Sequence, residues 1–260
     1  MVTPFNANGS IDYIGLEKLT LHLIDGGVDY LVVMGTTGEN PTISSVEQHQ
    51  ILQKVIDINA GRLPIVFGIG GNNTAAVVDR LKTENLAGVD GILSVSPYYN
   101  KPSQEGIYQH FKAVNNATPL PVIMYNVPSR TGSTVNPETT LRIAQLSNVV
   151  ATKEATGSLD ICMDIVTNKP DGFGVISGED GYTMPFIAAG MQGVISVIGN
   201  AYPKEFSQMV RYALDGDFKK AKELHYKLLP AMKAIFMDGN PGGVKYILSK
   251  MGICGNHFRL

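Results

Sequence analysis

Residues 149–157 read VVATKEATG. Small and β-branched residues open the stretch, as in a buried strand, and Lys153 stands where the apolar run ends. An amine in that place loses hydration and must be compensated. Side chains alternate along a strand, so Lys153 and Glu154 should point to opposite sides of it. Lys153 is then either a lysine that snorkels out to water or pairs with Glu154, or an inward-pointing amine. Desolvation of an inward amine favours its neutral form, which is the nucleophile of Schiff-base chemistry. Tyr125 ends the neighbouring apolar run. It is a core residue, or a phenol that relays protons for an amine reacting with a carbonyl. Thr36 and Thr37 are turn residues, or Thr37 supplies a hydroxyl that passes a proton to Tyr125. Arg130, two residues after Pro128, is a surface arginine or a bidentate grip on a carboxylate.

Such residues need elements to hold them. Seven apolar runs rich in Val and Ile recur along the chain: 30–34 (YLVVM), 64–69 (PIVFGI), 91–95 (GILSV), 121–125 (PVIMY), 149–152 (VVAT), 174–177 (GVIS) and 193–197 (GVISV). Most are apolar on both faces, as parallel strands covered on both sides should be. Helical spacing fills the intervals, for example over 16–26, 46–59, 74–86, 105–115, 138–145 and 184–189. One strand and one helix in roughly every 25–35 residues is the rhythm of a parallel α/β protein. The pattern predicts a (β/α)8 barrel over residues 1–200, with a C-terminal helical region over 201–260 carrying helices at 203–215, 217–236 and 244–251. In the place of the first strand, ahead of the helix at 16–26, stand only residues 1–5 (MVTPF), so the first strand reads as truncated. Barrel enzymes place their chemistry at the C-terminal ends of the strands. The segments found there are 35–39 (GTTGE), 70–74 (GGNNT), 96–100 (SPYYN), 125–132 (YNVPSRTG), Lys153–Glu154 and 178–180 (GED).

Composition narrows the function classes. The chain has 260 residues, 44% hydrophobic and 17% charged, with a formal net charge of -2. Without a basic block, nothing points to nucleic acid or an anionic membrane as a partner. Cys162 and Cys254 are far apart and match no metal spacing, so they read as reduced thiols of a cytoplasmic protein. The five histidines show no ligand spacing either, and no metal is implied. The Gly-Thr-Thr-Gly and Gly-Gly-Asn-Asn segments lack the Gly-Lys-Ser/Thr of a phosphate loop, and no Rossmann fingerprint opens a helix.

The segments GTTGE, PYYN (97–100), PSQEGIY (102–108), YNVPSRTG, KEATG (153–157) and GVISV, in this order over nearly the whole chain, resemble the dihydrodipicolinate synthase family, now called 4-hydroxy-tetrahydrodipicolinate synthases. The resemblance implies a (β/α)8 barrel with a C-terminal helical region. It also implies condensation of pyruvate with aspartate-4-semialdehyde, on the route to diaminopimelate and lysine, with no metal or organic cofactor. By the same resemblance Lys153 is the Schiff-base lysine and Tyr125 the central acid/base. Thr37 and Tyr99 are its relay partners, Tyr99 reaching across a tight dimer interface into the neighbour's site. Arg130 holds the semialdehyde carboxylate, and Thr36, Thr37, Gly178 and Ile195 line the pyruvate pocket. A homo-oligomer follows, commonly a tetramer built as a dimer of dimers.

N-acetylneuraminate lyase and 2-keto-3-deoxy-gluconate-type aldolases share the lysine, the tyrosine and pyruvate. Arg130 favours the synthase, because a short cationic clamp suits a small carboxylate-bearing aldehyde. A non-catalytic keto-acid-binding barrel is the reading from another class, and a binder needs no Thr37–Tyr99–Tyr125 relay. Against the family pattern, both ends look short, with the first strand and last helix truncated. Such truncation would expose unpaired edges and lower stability. At the positions where lysine-inhibited members hold the effector, this chain has Ala76, Ser45 and Gln48, with only Asn72 and Tyr98 fitting. Ala76 cannot bind an ammonium group, so feedback inhibition should be weak or absent. A turnover assay titrated with lysine checks this, and half-inhibition below a millimolar would contradict it.

Overall fold

The computed structural model describes residues 1–260. In chain order the regular elements are α1 (Tyr13–Asp25), β1 (Leu31–Val33), α2 (Ser45–Asn59), β2 (Ile65–Gly68), α3 (Thr74–Thr83), β3 (Gly91–Val95), α4 (Gln104–Ala117), β4 (Val122–Asn126), α5 (Pro128–Thr131), α6 (Pro137–Ile143), β5 (Val149–Glu154), α7 (Leu159–Asn168), β6 (Gly174–Ser177), α8 (Thr183–Ala188), α9 (Pro203–Leu214), α10 (Phe218–Ala234) and α11 (Gly242–Lys250). They fall into two compact units, residues 1–68 with 196–260, and residues 69–195.

The helices begin where side chains can satisfy their free N–H groups. Asp12, Asn73, Ser103, Ser158 and Asp217 each accept a hydrogen bond from a first-turn backbone amide. Ser44 and Glu47 form a reciprocal capping box at the start of α2. In the first unit β1 pairs in parallel with β2. Here α1 packs on α2, and α9 on α10. Phe5, Leu16, Leu19, Leu31, Ile51 and Leu52 are buried in this unit. Near the chain start, Met1 donates its amino group to the Val32 carbonyl at 2.8 Å, and the Val2 amide donates to Asn200 Oδ1 at 2.9 Å. In the second unit β3, β4, β5 and β6 form a parallel array in sequence order. Helices α3, α4, α6 and α7 pack in succession.

Six of the predicted apolar runs are strands. The seventh, 193–197, is not: Val194 makes a single parallel bridge to Ser177, and the backbone then turns into a short 3-10 segment at Ile198–Asn200. Beside β6 the run is held by Ser177 N donating to the Gly193 carbonyl at 2.8 Å and Ile195 N to the Ser177 carbonyl at 2.9 Å. A correction of the other sign applies to β5. The apolar run stops at Thr152, but the ladder continues through Lys153 and Glu154 because both sides have strand partners. Helix α3 ends at Thr83, earlier than predicted, where Glu84 returns to extended backbone.

The first unit is tied by a buried ion network. Glu39 stands in the left-handed region at φ 57° and is 0% exposed. Its carboxylate accepts from Lys245 Nζ at 2.5 Å, and from the backbone amides of Arg259 at 2.9 Å and Leu260 at 3.2 Å. Lys245, also 0% exposed, donates in addition to the His257 carbonyl at 2.9 Å. Burial pulls the Lys245 ammonium below its ordinary range, and Glu39 pulls it back up. Arg259 grips both oxygens of Glu47, at 2.9 and 2.6 Å, which lowers the Glu47 carboxyl to about 2. The hydrogen bond from Arg259 is the largest cause of that shift. Removing one partner of a buried pair strands the other charge, at a cost of about 3–5 kcal/mol. Lys245→Met should therefore lower the unfolding free energy by roughly that amount. The double variant Glu39→Gln/Lys245→Met should recover more than half of the loss. Urea denaturation of the set checks this, and a double variant as weak as Lys245→Met would contradict it.

Candidate active site

The site grows from the register of two strands. Tyr125 of β4 is paired with Lys153 of β5, and Lys153 with Ile176 of β6. Paired residues of parallel strands present their side chains to the same face. The Lys153 amine accordingly lies over the Tyr125 ring, 4.2 Å from its centroid. Both side chains are nearly enclosed, at 8% and 6% exposure.

Gly178 follows β6 and lies beside this pair. A Cβ there would stand 3.0 Å from Lys153 Cε and 2.7 Å from Ala155 Cβ, so only glycine leaves the lysine its place. Glu179 is next in the chain and half-buried. Burial, followed by the charge of Asp180, pushes its carboxyl upward, and the Lys153 ammonium pulls it down. The sequence reading placed Glu179 on the rim without a role. In the structure its charge is coupled to that of the amine. Ile195 lies beside the end of β6, its amide bonded to Ser177.

The opposite face of the same strand ends is a closed polar knot. Asn126 is paired with Glu154, and both are 0% exposed. Asn126 Nδ2 donates to Glu154 Oε2 at 3.0 Å and to the Val135 carbonyl at 3.1 Å. Asn126 Oδ1 accepts from Val135 N at 3.1 Å, and Thr152 Oγ1 donates to Glu154 Oε1 at 3.0 Å. This knot pins the segment 127–135, which carries Arg130 on the single turn of α5. Arg130 is exposed. The helix stops at Gly132, whose φ is +74° and over which the Lys101 side chain packs.

Tyr99 has a different character. It is 83% exposed and has φ +75°, at the centre of a turn closed by the Asn100 amide on the Tyr98 carbonyl at 3.0 Å. A non-glycine residue in that region is strained by about 1–3 kcal/mol. Its own chain gives the ring almost no cover. Thr36 and Thr37 belong to the first unit, in the short 3-10 turn after β1. Thr37 Oγ1 accepts from Asn240 Nδ2 at 3.0 Å. Asn240 was missed in the sequence, where it falls between the helices predicted over 217–236 and 244–251. A small hollow in the second unit is lined by Asn72, Asn73, Ala76 and Arg80 among others. It offers an ammonium group a guanidinium and no carboxylate.

The fold and site together define an α/β enzyme of the lyase class. The chain belongs to the dihydrodipicolinate synthetase family, whose sequence profile matches residues 1–260. A 4-hydroxy-tetrahydrodipicolinate synthase of Parabacteroides distasonis is 53% identical over 261 residues, covering 100% of this chain and 88% of the relative. The dihydrodipicolinate synthase of Aquifex aeolicus has a crystal structure that is 40% identical, with a TM-score of 0.96 over 100% of this chain and 89% of its own. The chloride-inhibited enzyme of Acinetobacter baumannii, solved with pyruvate, is 37% identical with a TM-score of 0.97 over 100% and 89%. The chain is thus a lyase of lysine and diaminopimelate biosynthesis.

Glu154 supplies a pH signature for the polar knot. Burial pushes its carboxyl from 4.5 up to about 8, against the pull of the hydrogen bonds from Thr152 and Asn126. Between those values the folded chain holds a proton that the unfolded chain has released. Its contribution to stability is full below 4.5 and is lost as pH rises to about 8, with a slope approaching about 1.4 kcal/mol per pH unit. Glu154→Gln removes the titration. Urea unfolding of parent and variant from about pH 5 to about pH 8 should show the variant gaining on the parent as pH rises. Parallel curves would contradict the assignment.

Proposed function

We propose that this chain condenses pyruvate with L-aspartate-4-semialdehyde to 4-hydroxy-tetrahydrodipicolinate through a Schiff base on Lys153. The observation that carries the reading is the enclosed Lys153 amine set over the Tyr125 ring at 4.2 Å. The Lys153 amine adds to the ketone of pyruvate, and water leaves to form an imine. The protonated imine acts as the electron sink, so that loss of a methyl proton gives the enamine. The enamine carbon attacks the aldehyde of the second substrate, and a new carbon–carbon bond forms. The amino group of that substrate then attacks the imine carbon, closes the ring and releases Lys153. No metal or organic cofactor is required by this sequence of steps.

Tyr125 is the central acid and base in this reading, and Thr37 and Tyr99 complete its relay. Thr36, Thr37, Gly178 and Ile195 bound the pyruvate pocket, and Arg130 holds the carboxylate of the semialdehyde. The strained, uncovered Tyr99 supports a role outside its own chain, in the site of a second copy. We accordingly read the protein as a homo-oligomer, a tetramer made as a dimer of dimers. The family's similarity supports a closed (β/α)8 barrel over residues 1–200 with a helical region over 201–260. No helix is long and apolar enough to cross a membrane, which accords with a cytoplasmic biosynthetic enzyme.

The test is intact-mass analysis after incubation with pyruvate and borohydride. One covalent pyruvate adduct should appear, map to Lys153 and be absent in Lys153→Ala. Folded protein that forms no adduct would refute the imine. Turnover in an assay coupled to the downstream reductase then separates the synthase from a sugar-acid aldolase or a keto-acid binder, neither of which would consume the semialdehyde.

A further inference from the structure

The turn after α10 reaches back to the loop that carries Thr36 and Thr37. Gly243 has no room for a Cβ, which would run into the backbone of Ile235, so the start of α11 is drawn tight against the end of α10. Gly239, at φ +82°, lets the chain reverse just before Asn240. Asn240 then donates its side-chain amide to Thr37 Oγ1 at 3.0 Å. On α11, Lys245 donates to Glu39, two residues beyond Thr37, at 2.5 Å. One segment thus grips one loop at two points, and the buried ion pair fixes how the amide meets the hydroxyl.

The Asn240 carbonyl shows what the residue is for. Its Oδ1 is buried and makes no hydrogen bond. A buried acceptor left unpaired is destabilising, so this asparagine is a poor choice for stability alone. Its polar contact is the donation to Thr37. A threonine hydroxyl has one proton and two lone pairs. An amide N–H₂ can only donate, so it occupies one lone pair and the hydroxyl proton cannot point toward it.

We infer that Asn240 is a positioning residue for the reaction: it sets the rotor of the Thr37 hydroxyl, with the proton turned away from α11 and free to be donated, and one lone pair free to accept. The inference rests on the proposed reading of Thr37 as a member of the proton relay.

The test is steady-state kinetics of the full chain in the reductase-coupled assay, with Thr37→Val, Asn240→Ala, their double variant and Asn240→Asp. Thr37→Val should lose about a hundredfold in kcat, in the range of general acid–base catalysis. Asn240→Ala should lose about tenfold in kcat, as expected for one hydrogen bond, with KM for pyruvate within about twofold. The double variant should be no slower than Thr37→Val. An ionised aspartate at position 240 can only accept, so it would draw the Thr37 proton toward itself. The kcat of Asn240→Asp relative to the parent should therefore climb as pH falls and the new carboxyl gains a proton. An equal fold loss from Asn240→Ala with and without the Thr37 hydroxyl would overturn the inference, leaving the relay standing. A fully active Thr37→Val would overturn the relay reading, and the inference with it. If Asn240→Ala fails to fold by thermal melting, Asn240→Asp decides alone, and a pH-independent ratio to the parent overturns the proposal.

Discussion

The parallel register that sets Tyr125 against Lys153 is the constraint on which the site depends. Strand geometry allows no half-measures, since a slip of one residue would move every side chain to the other face. In this register the amine and phenol share one face, while Asn126 and Glu154, the next pair along, share the other. One face holds the groups that can react. The other is a knot with its hydrogen bonds made within the wall. A single alignment thus sets the amine against the phenol and supplies the fixture that keeps them in place.

The two units use charge in opposite ways. Glu154 has a carboxyl raised to about 8, so at neutral pH it is held mostly protonated and places little negative charge behind Lys153. Glu39 and Lys245, in the first unit, are instead a buried ion pair at 2.5 Å. A buried pair is rarely the most stable filling for its volume. It does, however, fix two segments in a single arrangement. The loop it fixes also contains Thr36 and Thr37, and in the proposed reading a displacement there of about an ångström can cost a hundredfold in rate. The ion pair is therefore better understood as a demand for position than as a source of stability.

Much of this was legible in the sequence where the cause is local. Six strands follow from runs of Val and Ile, and most helix starts follow from a capping Ser, Asp or Asn. Lys153 stood out because an amine at the end of an apolar run needs a reason. What stayed hidden depends on partners remote in the chain. The run 193–197 has strand composition, yet it finds only one bridge and so stays irregular. The extension of β5 through Lys153 and Glu154 needed ladders on both sides. Asn240 and Thr37 are separated by 203 positions, and no periodicity could pair them. Glu179 was visible as a rim carboxylate, but its electrostatic tie to Lys153 required the fold.

Three residues share a property that separates function from folding. Tyr99 is strained at φ +75° and 83% exposed. Asn240 leaves a buried carbonyl oxygen unpaired. Lys153 carries an amine into an enclosed place against an aromatic ring. None of the three is a residue that folding alone calls for at its position. Local choices in a natural sequence mostly agree with the fold, and violations concentrate where function requires them. The lysine belongs to the reacting centre in the proposed reading, the asparagine to the loop that serves it, and the tyrosine to a surface where its own chain has no use for the ring. In that reading their disagreement with the fold marks one chemistry from three directions.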